Sequence, residues 1–159
     1  MGISRALIGA LLLLPSTVFA SCDATALTVQ GDFGRARIAV RVADEPQERA
    51  QGLMNVESMP LLAGMLFVYD APQHATFWMR NTLIPLDMLF ADTSGTVQRI
   101  HENAVPLDET VIDGGRDIAF VLELNGGVSS RLGITEGAVL VHPAIENEFT
   151  QNCVPLDAG

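Results

Sequence analysis

The residues best equipped for chemistry cluster in one stretch. From Gly64 to Asp87 the chain reads GMLFVYDAPQHATFWMRNTLIPLD and holds its single tryptophan, Trp78, and its single tyrosine, Tyr69. Trp78, Arg80 and Asn81 stand close together, and Asp87 follows the apolar run Leu83-Ile84-Pro85-Leu86. A carboxylate set among core-forming residues is costly to bury unless it is paired, and Arg80 or Arg49 is the natural partner. The plainest expectation is therefore a structural ion pair. The functional one makes Arg80, Asn81, Asp87 and Arg49 the polar floor of a pocket and Trp78 its aromatic wall. Such a mixture of apolar face and hydrogen-bonding edge suits a sugar or another polar small molecule.

Two further chemistries use the same stretch. Asp87 with Asp70, Glu48 or Glu123 supplies two carboxylates, and glycoside hydrolysis needs such a pair roughly 5–10 Å apart. His74 with Asp87 has the types of a general base and its orienting group, but no Gly-x-Ser-x-Gly elbow or activated cysteine accompanies them. A third reading gathers Met54, Met65, Met79 and Met88 around His74, because thioethers with imidazole suit cuprous copper; His74, Met65 and Met79 are its candidate ligands. Against it, Met65, Met79 and Met88 fall at alternating strand positions that point into a core. His101 and His142 have no metal-ligand spacing. No cofactor is expected.

The elements that must position these residues are mostly strands. Ala36, Ile38, Val40 and Val42 alternate with Arg35, Arg37 and Arg41, the pattern of a half-buried strand. Asp44-Glu45-Pro46-Gln47 opens a short helix that Gly52 closes. Met65–Tyr69 and Ala75–Asn81 read as strands separated by the turn Asp70-Ala71-Pro72-Gln73. On the second of these, Trp78 and Arg80 share a face, so the guanidinium can stack on the indole. Leu86–Ala91 and Thr96–His101 form a hairpin across Asp92-Thr93-Ser94-Gly95, and Glu102–Gly115 reads as a long polar loop. Asp117–Leu124 is a strongly apolar strand, Val128–Leu132 a helical turn closed by Gly133, and Ala138–Val141 a last strand. The sum is a β-rich α+β domain: a strongly curved mixed sheet or partial β-barrel of about seven short strands with two short helices.

Met1–Ala20 has the charge, apolar run and small-residue end of a secretory signal peptide, leaving residues 21–159 as one globular domain. The expected location is periplasmic or extracellular; the alternative is a lipoprotein anchored at Cys22. In an oxidising compartment Cys22 and Cys153 are expected to join the two ends by a disulfide. No stretch reaches the length of a membrane span. All nine basic residues are arginine and the net charge is −10, which excludes lysine chemistry and disfavours nucleic acid as a partner. A monomer is expected.

Glu48-Arg49-x-x-Gly52-Leu53-Met54, Gly64-Met65-Leu66-Phe67, Phe77-Trp78-Met79-Arg80-Asn81-Thr82-Leu83-Ile84-Pro85-Leu86-Asp87, Val121-Leu122-Glu123-Leu124 and Leu132-Gly133-Ile134 together resemble the bacterial and archaeal family catalogued as domain of unknown function 192. The resemblance spans Ala36 to Val141. It implies a small, single, often exported domain and carries no activity with it; the family has lysine as readily as arginine at the position of Arg80. The expected function is that of an exported, non-catalytic module that binds a polar small molecule or an envelope component around Trp78, Arg80 and Asp87, with the hydrolase and the Met/His copper protein as alternatives.

Overall fold

The computed structural model describes residues 21–150 and 154–155. The segment expected to be a signal peptide, and Cys153 with the expected Cys22–Cys153 bond, lie outside the described residues. The strands form in chain order as β1 (Ser21–Cys22), β2 (Ala26–Gly31), β3 (Gly34–Ala43), β4 (Ala63–Phe77), β5 (Leu86–Ala91), β6 (Val97–Ala104), β7 (Ile112–Asn125), β8 (Val139–Val141) and β9 (Val154–Pro155). The helices are α1 (Pro46–Gln51) and α2 (Val128–Leu132). Seven strands make one sheet in the order β6-β5-β7-β4-β3-β2-β8, and β1 pairs with β9 separately. Within the large sheet β3 and β4 run parallel and the other neighbours antiparallel. The sheet curls until its edges meet at one end: Thr96 bridges to Val139, and the Val97 and Leu140 amides donate to Ala138 and Gly95 carbonyls. This is the expected β-rich α+β half-barrel.

Because side chains alternate across a strand, the sheet separates two cores. Leu27, Val29, Ile38, Val40, Leu66, Leu89, Leu122 and Leu124 fill the inner side with Val128, Ile134 and Leu140. Met65, Phe67, Met79, Met88, Phe90, Val121 and Leu53 form the outer core. Leu53, Val56 and Met59 after α1, and Met79 and Ile84 after β4, pack on this outer face, and the candidate residues of the sequence are distributed between the two sides.

Three expectations on local structure need correction. The segments read as two strands around Asp70–Gln73 are one strand, β4. Turn-forming residues are absorbed as an outward bulge, since Val68 pairs with Phe120 while Gln73 already pairs with Ile118. That strand ends at Phe77, so Trp78–Asn81 lies in a turn beyond it, closed by the Thr82 amide on the Met79 carbonyl at 3.0 Å with Asn81 at φ 53°. Much of Glu102–Gly115 is not loop: β6 continues to Ala104 and β7 begins at Ile112. Ala104 pairs with Leu86 and Ile112 with Phe77, and both are buried in the outer core, so these polar stretches are held by backbone pairing around apolar anchors. At α1, within the expected opening Asp44–Gln47, the N-cap is Glu45, and the Glu48 carboxylate accepts the Glu45 amide at 3.4 Å.

Candidate functional site

Asp87 is fully enclosed, and no arginine meets it. On β5 it points to the inner side, beside Leu124 of β7. One carboxylate oxygen accepts the Asn103 amide at 2.8 Å and the Gly127 amide at 2.9 Å; the other accepts the Ser129 amide at 2.8 Å and the Ser129 hydroxyl at 2.6 Å. Four charge-assisted bonds satisfy a buried carboxylate. They also tie β5 to the end of β6 and to the first turn of α2. The expectation of an Arg80 or Arg49 partner fails because backbone amides, which any residue type supplies, took the place of the guanidinium.

Trp78 and Arg80 do come together. The guanidinium carbon of Arg80 lies 5.5 Å from the centre of the Trp78 ring, and the indole remains 45% exposed. Asn81 is exposed, and its carbonyl accepts the Asn55 amide at 2.8 Å. Arg49 reaches from α1 to the Val68 carbonyl at 2.9 Å and to the Asp44 carbonyl, and it covers the Tyr69 ring at 5.6 Å. His74 sits apart from the buried Met65 and Met79, its Nε2 lying 2.8 Å from the Asp113 carboxylate. That bond and the Gly115 amide hold the Asp113 carboxyl below its ordinary range. The His74, Met65 and Met79 set is thus not assembled, and among the described residues no group of three His, Cys, Asp or Glu is placed to hold a metal.

A cleft of about 250 Å³ opens on the outer face, lined by α1 and the residues after it (Arg49–Met54), Phe67 and Tyr69 of β4, the Thr76–Trp78 strand end, Thr82, and Glu123 of β7. Glu123 is 4% exposed. Its cross-strand neighbours are Met65 on β4 and Met88 on β5, so both flanks are apolar. No hydrogen bond or ion pair holds its carboxyl among the described residues, and burial alone pushes it up to about 8. Among the described residues no fully enclosed polar side-chain atom lacks a partner, so the unpartnered oxygens of Glu123 must be the atoms that reach the cleft. Tyr69 is also pushed up to about 12, first by burial, so its phenol keeps its proton.

The pairs imagined for acid–base work are not formed. Glu123 and Asp87 sit on opposite faces of the sheet, because Glu123 pairs with Met88 of the outer core while Asp87 pairs with Leu124 of the inner one. Asp70 is 93% exposed, and its carboxylate is 3.8 Å from Arg49. Sequence reasoning gave Glu123 a place only as one of several second carboxylates. The signal that marks it is an acid at an alternating position inside the otherwise apolar run of β7.

Among solved structures, the chain is similar to a protein of unknown function from Novosphingobium aromaticivorans, at 41% identity and a TM-score of 0.72, covering 73% of this chain and 83% of that one. It is also similar to a protein from Sinorhizobium meliloti 1021 called a "putative transcription regulator", at 39% identity and a TM-score of 0.74, covering 79% and 98%. No curated protein matches. The family model DUF192, described as "Uncharacterized ACR", matches residues 26–142. With most of its length matched to that model, the chain belongs to the DUF192 family.

Proposed function

We propose that the protein is a non-catalytic binding module, exported by its Met1–Ala20 leader, and that its ligand is a small polar molecule seated in the outer cleft between Arg49, Tyr69, Trp78 and Glu123. The observation that carries this reading is Glu123. A carboxyl that is 4% exposed, flanked by two methionines, given no hydrogen bond by a protein group and open only to the cleft is costly to ionise in the empty protein. Fold alone gives no reason to keep an acid there, since a leucine or methionine would pack against Met65 and Met88 at no such cost. A ligand that hydrogen-bonds to it supplies the missing partner.

Binding is favoured over hydrolysis because the cleft holds a single buried carboxyl, and Asp87 on the other face is already saturated by four bonds. The Sinorhizobium neighbour is called a "putative transcription regulator", but a chain of net charge −10 offers little to the phosphate backbone of a nucleic acid. Among the described residues no helix is long and apolar enough to cross a membrane.

A thermal-shift screen of sugars, cell-wall fragments and small organic acids tests the proposal. A true ligand at about a hundred times its Kd should add about 2.7 kcal/mol, or roughly 5–10 °C in Tm. The shift should vanish in Glu123→Leu while that variant keeps a cooperative transition. Shifts that survive in Glu123→Leu would place the ligand elsewhere and defeat the proposal.

A further inference from the structure

The ligand class follows from which groups converge on the cleft, and the inference rests on the binding reading above. We infer that the cleft takes a small organic carboxylate whose charged end lies between the Arg49 guanidinium and the Glu123 carboxyl and whose apolar part packs on Phe77 and Trp78.

Arg49 is fixed in place. Its Nη1 is committed to the Asp44 and Val68 carbonyls and its face to the Tyr69 ring, while Nη2 meets only Asp70, 3.8 Å away and almost wholly in solvent. Such an exposed pair contributes little, so an incoming anion displaces Asp70 at small cost. Glu123 lines the same cleft, and among the described residues no ion pair joins it to Arg49. Tyr69, Thr76 and Thr82 add hydroxyls, and the aromatic side chains form the wall. A cationic ligand is disfavoured, because Arg49 already covers Tyr69 and Arg80 already covers Trp78. A protonated Glu123 is a donor. Together with the guanidinium it gives a carboxylate the paired donors that an uncharged polyol does not require.

Glu123 holds its proton up to about 8; above that it becomes a second anion facing the ligand. The charged or titratable groups around it are Arg49 from α1 and Tyr69 from β4, with Asp70 outside. Arg41 and His101 stand further along the same cross-sheet row, beyond Met65 and Met88.

Phenylacetate, phenylacetamide and methyl glucoside are suitable probes for calorimetric titration of the folded protein. Phenylacetate should bind, and its affinity should fall about tenfold between about pH 7 and 9. Glu123→Gln, which keeps a donor and loses the titration, should bind phenylacetate with an affinity that stays level over the same range. Arg49→Met should lose binding at both pH values, with its Tm confirming a folded protein. If phenylacetamide or the glucoside binds in a Glu123-dependent manner and phenylacetate does not, the ligand class is wrong and the cleft stands. If phenylacetate binds wild type and Glu123→Gln with the same pH dependence, the role given to Glu123 is overturned. If none of the three binds, the carboxylate inference fails, and the wider screen above decides whether the cleft is a site.

Discussion

Replacing Asp87 by alanine is expected to lower stability by about 4–5 kcal/mol, which for a domain of this size is roughly 10–20 °C in Tm. Three backbone amides and the Ser129 hydroxyl would be left facing a space that held a carboxylate. Each unsatisfied buried donor costs on the order of 1–3 kcal/mol, though water entering the gap reduces the sum. The loss approaches the whole stability of a typical domain. Asp87→Asn is expected to recover little, despite its shape. Each carboxylate oxygen accepts two donors, so whichever position takes the amide nitrogen sets donors against donors. Urea denaturation of both variants checks this; a change below about 1 kcal/mol would show that the four bonds do not anchor α2 and β6 to β5.

Glu123 should behave in the opposite sense. Its carboxyl is raised from 4.5 to about 8 in the folded chain, so between those values the folded protein keeps a proton that the unfolded chain has released. Folding then takes up a proton. The stability this group confers is fully present below about 4.5 and is lost as pH rises through about 8. Glu123→Gln removes the titration. It should match wild type near about pH 5 and exceed it by about 2–4 kcal/mol at about pH 9. His142, which burial holds below its ordinary range, bends the curve of both proteins alike and cancels in the difference. A variant that tracks wild type at every pH would mean that the carboxyl has a partner in solution.

Gain of stability on removing a side chain is the mark of a group retained for something other than folding. Asp87 and Glu123 are both acids buried in a strand of one sheet, and the contrast between them divides structure from site. The first has four donors and holds the fold; the second has none and opens on a cleft.

Some of this was legible in the sequence. Glycines and turn residues punctuate β5 and α2 so clearly that Leu86–Ala91 and Val128–Leu132 match their observed bounds. The stacking of Arg80 on Trp78 is local, and its two-residue spacing sufficed even though the segment is a turn rather than a strand. That Asp87 must be satisfied followed from its apolar surroundings. Its partners did not, because Asn103, Gly127 and Ser129 donate mainly through backbone amides 16 to 42 residues away, and a main-chain donor leaves no trace in residue type. Asp70–Gln73 read as a turn because local chemistry favours one there, whereas the flanking pairs with β7 keep β4 continuous. Glu123 was visible as a letter in an apolar strand, but which face it took depended on register, fixed by Met65 and Met88 on either side.

The measurement that bears most directly on the cleft uses the protein's only tryptophan, which forms part of its wall. Trp78 emission should be followed as each compound of the screen is titrated into wild type and into Glu123→Leu. The account predicts at least one compound that shifts the emission saturably in wild type and leaves Glu123→Leu unchanged. Emission that no compound alters, or that changes equally in both proteins, would contradict it.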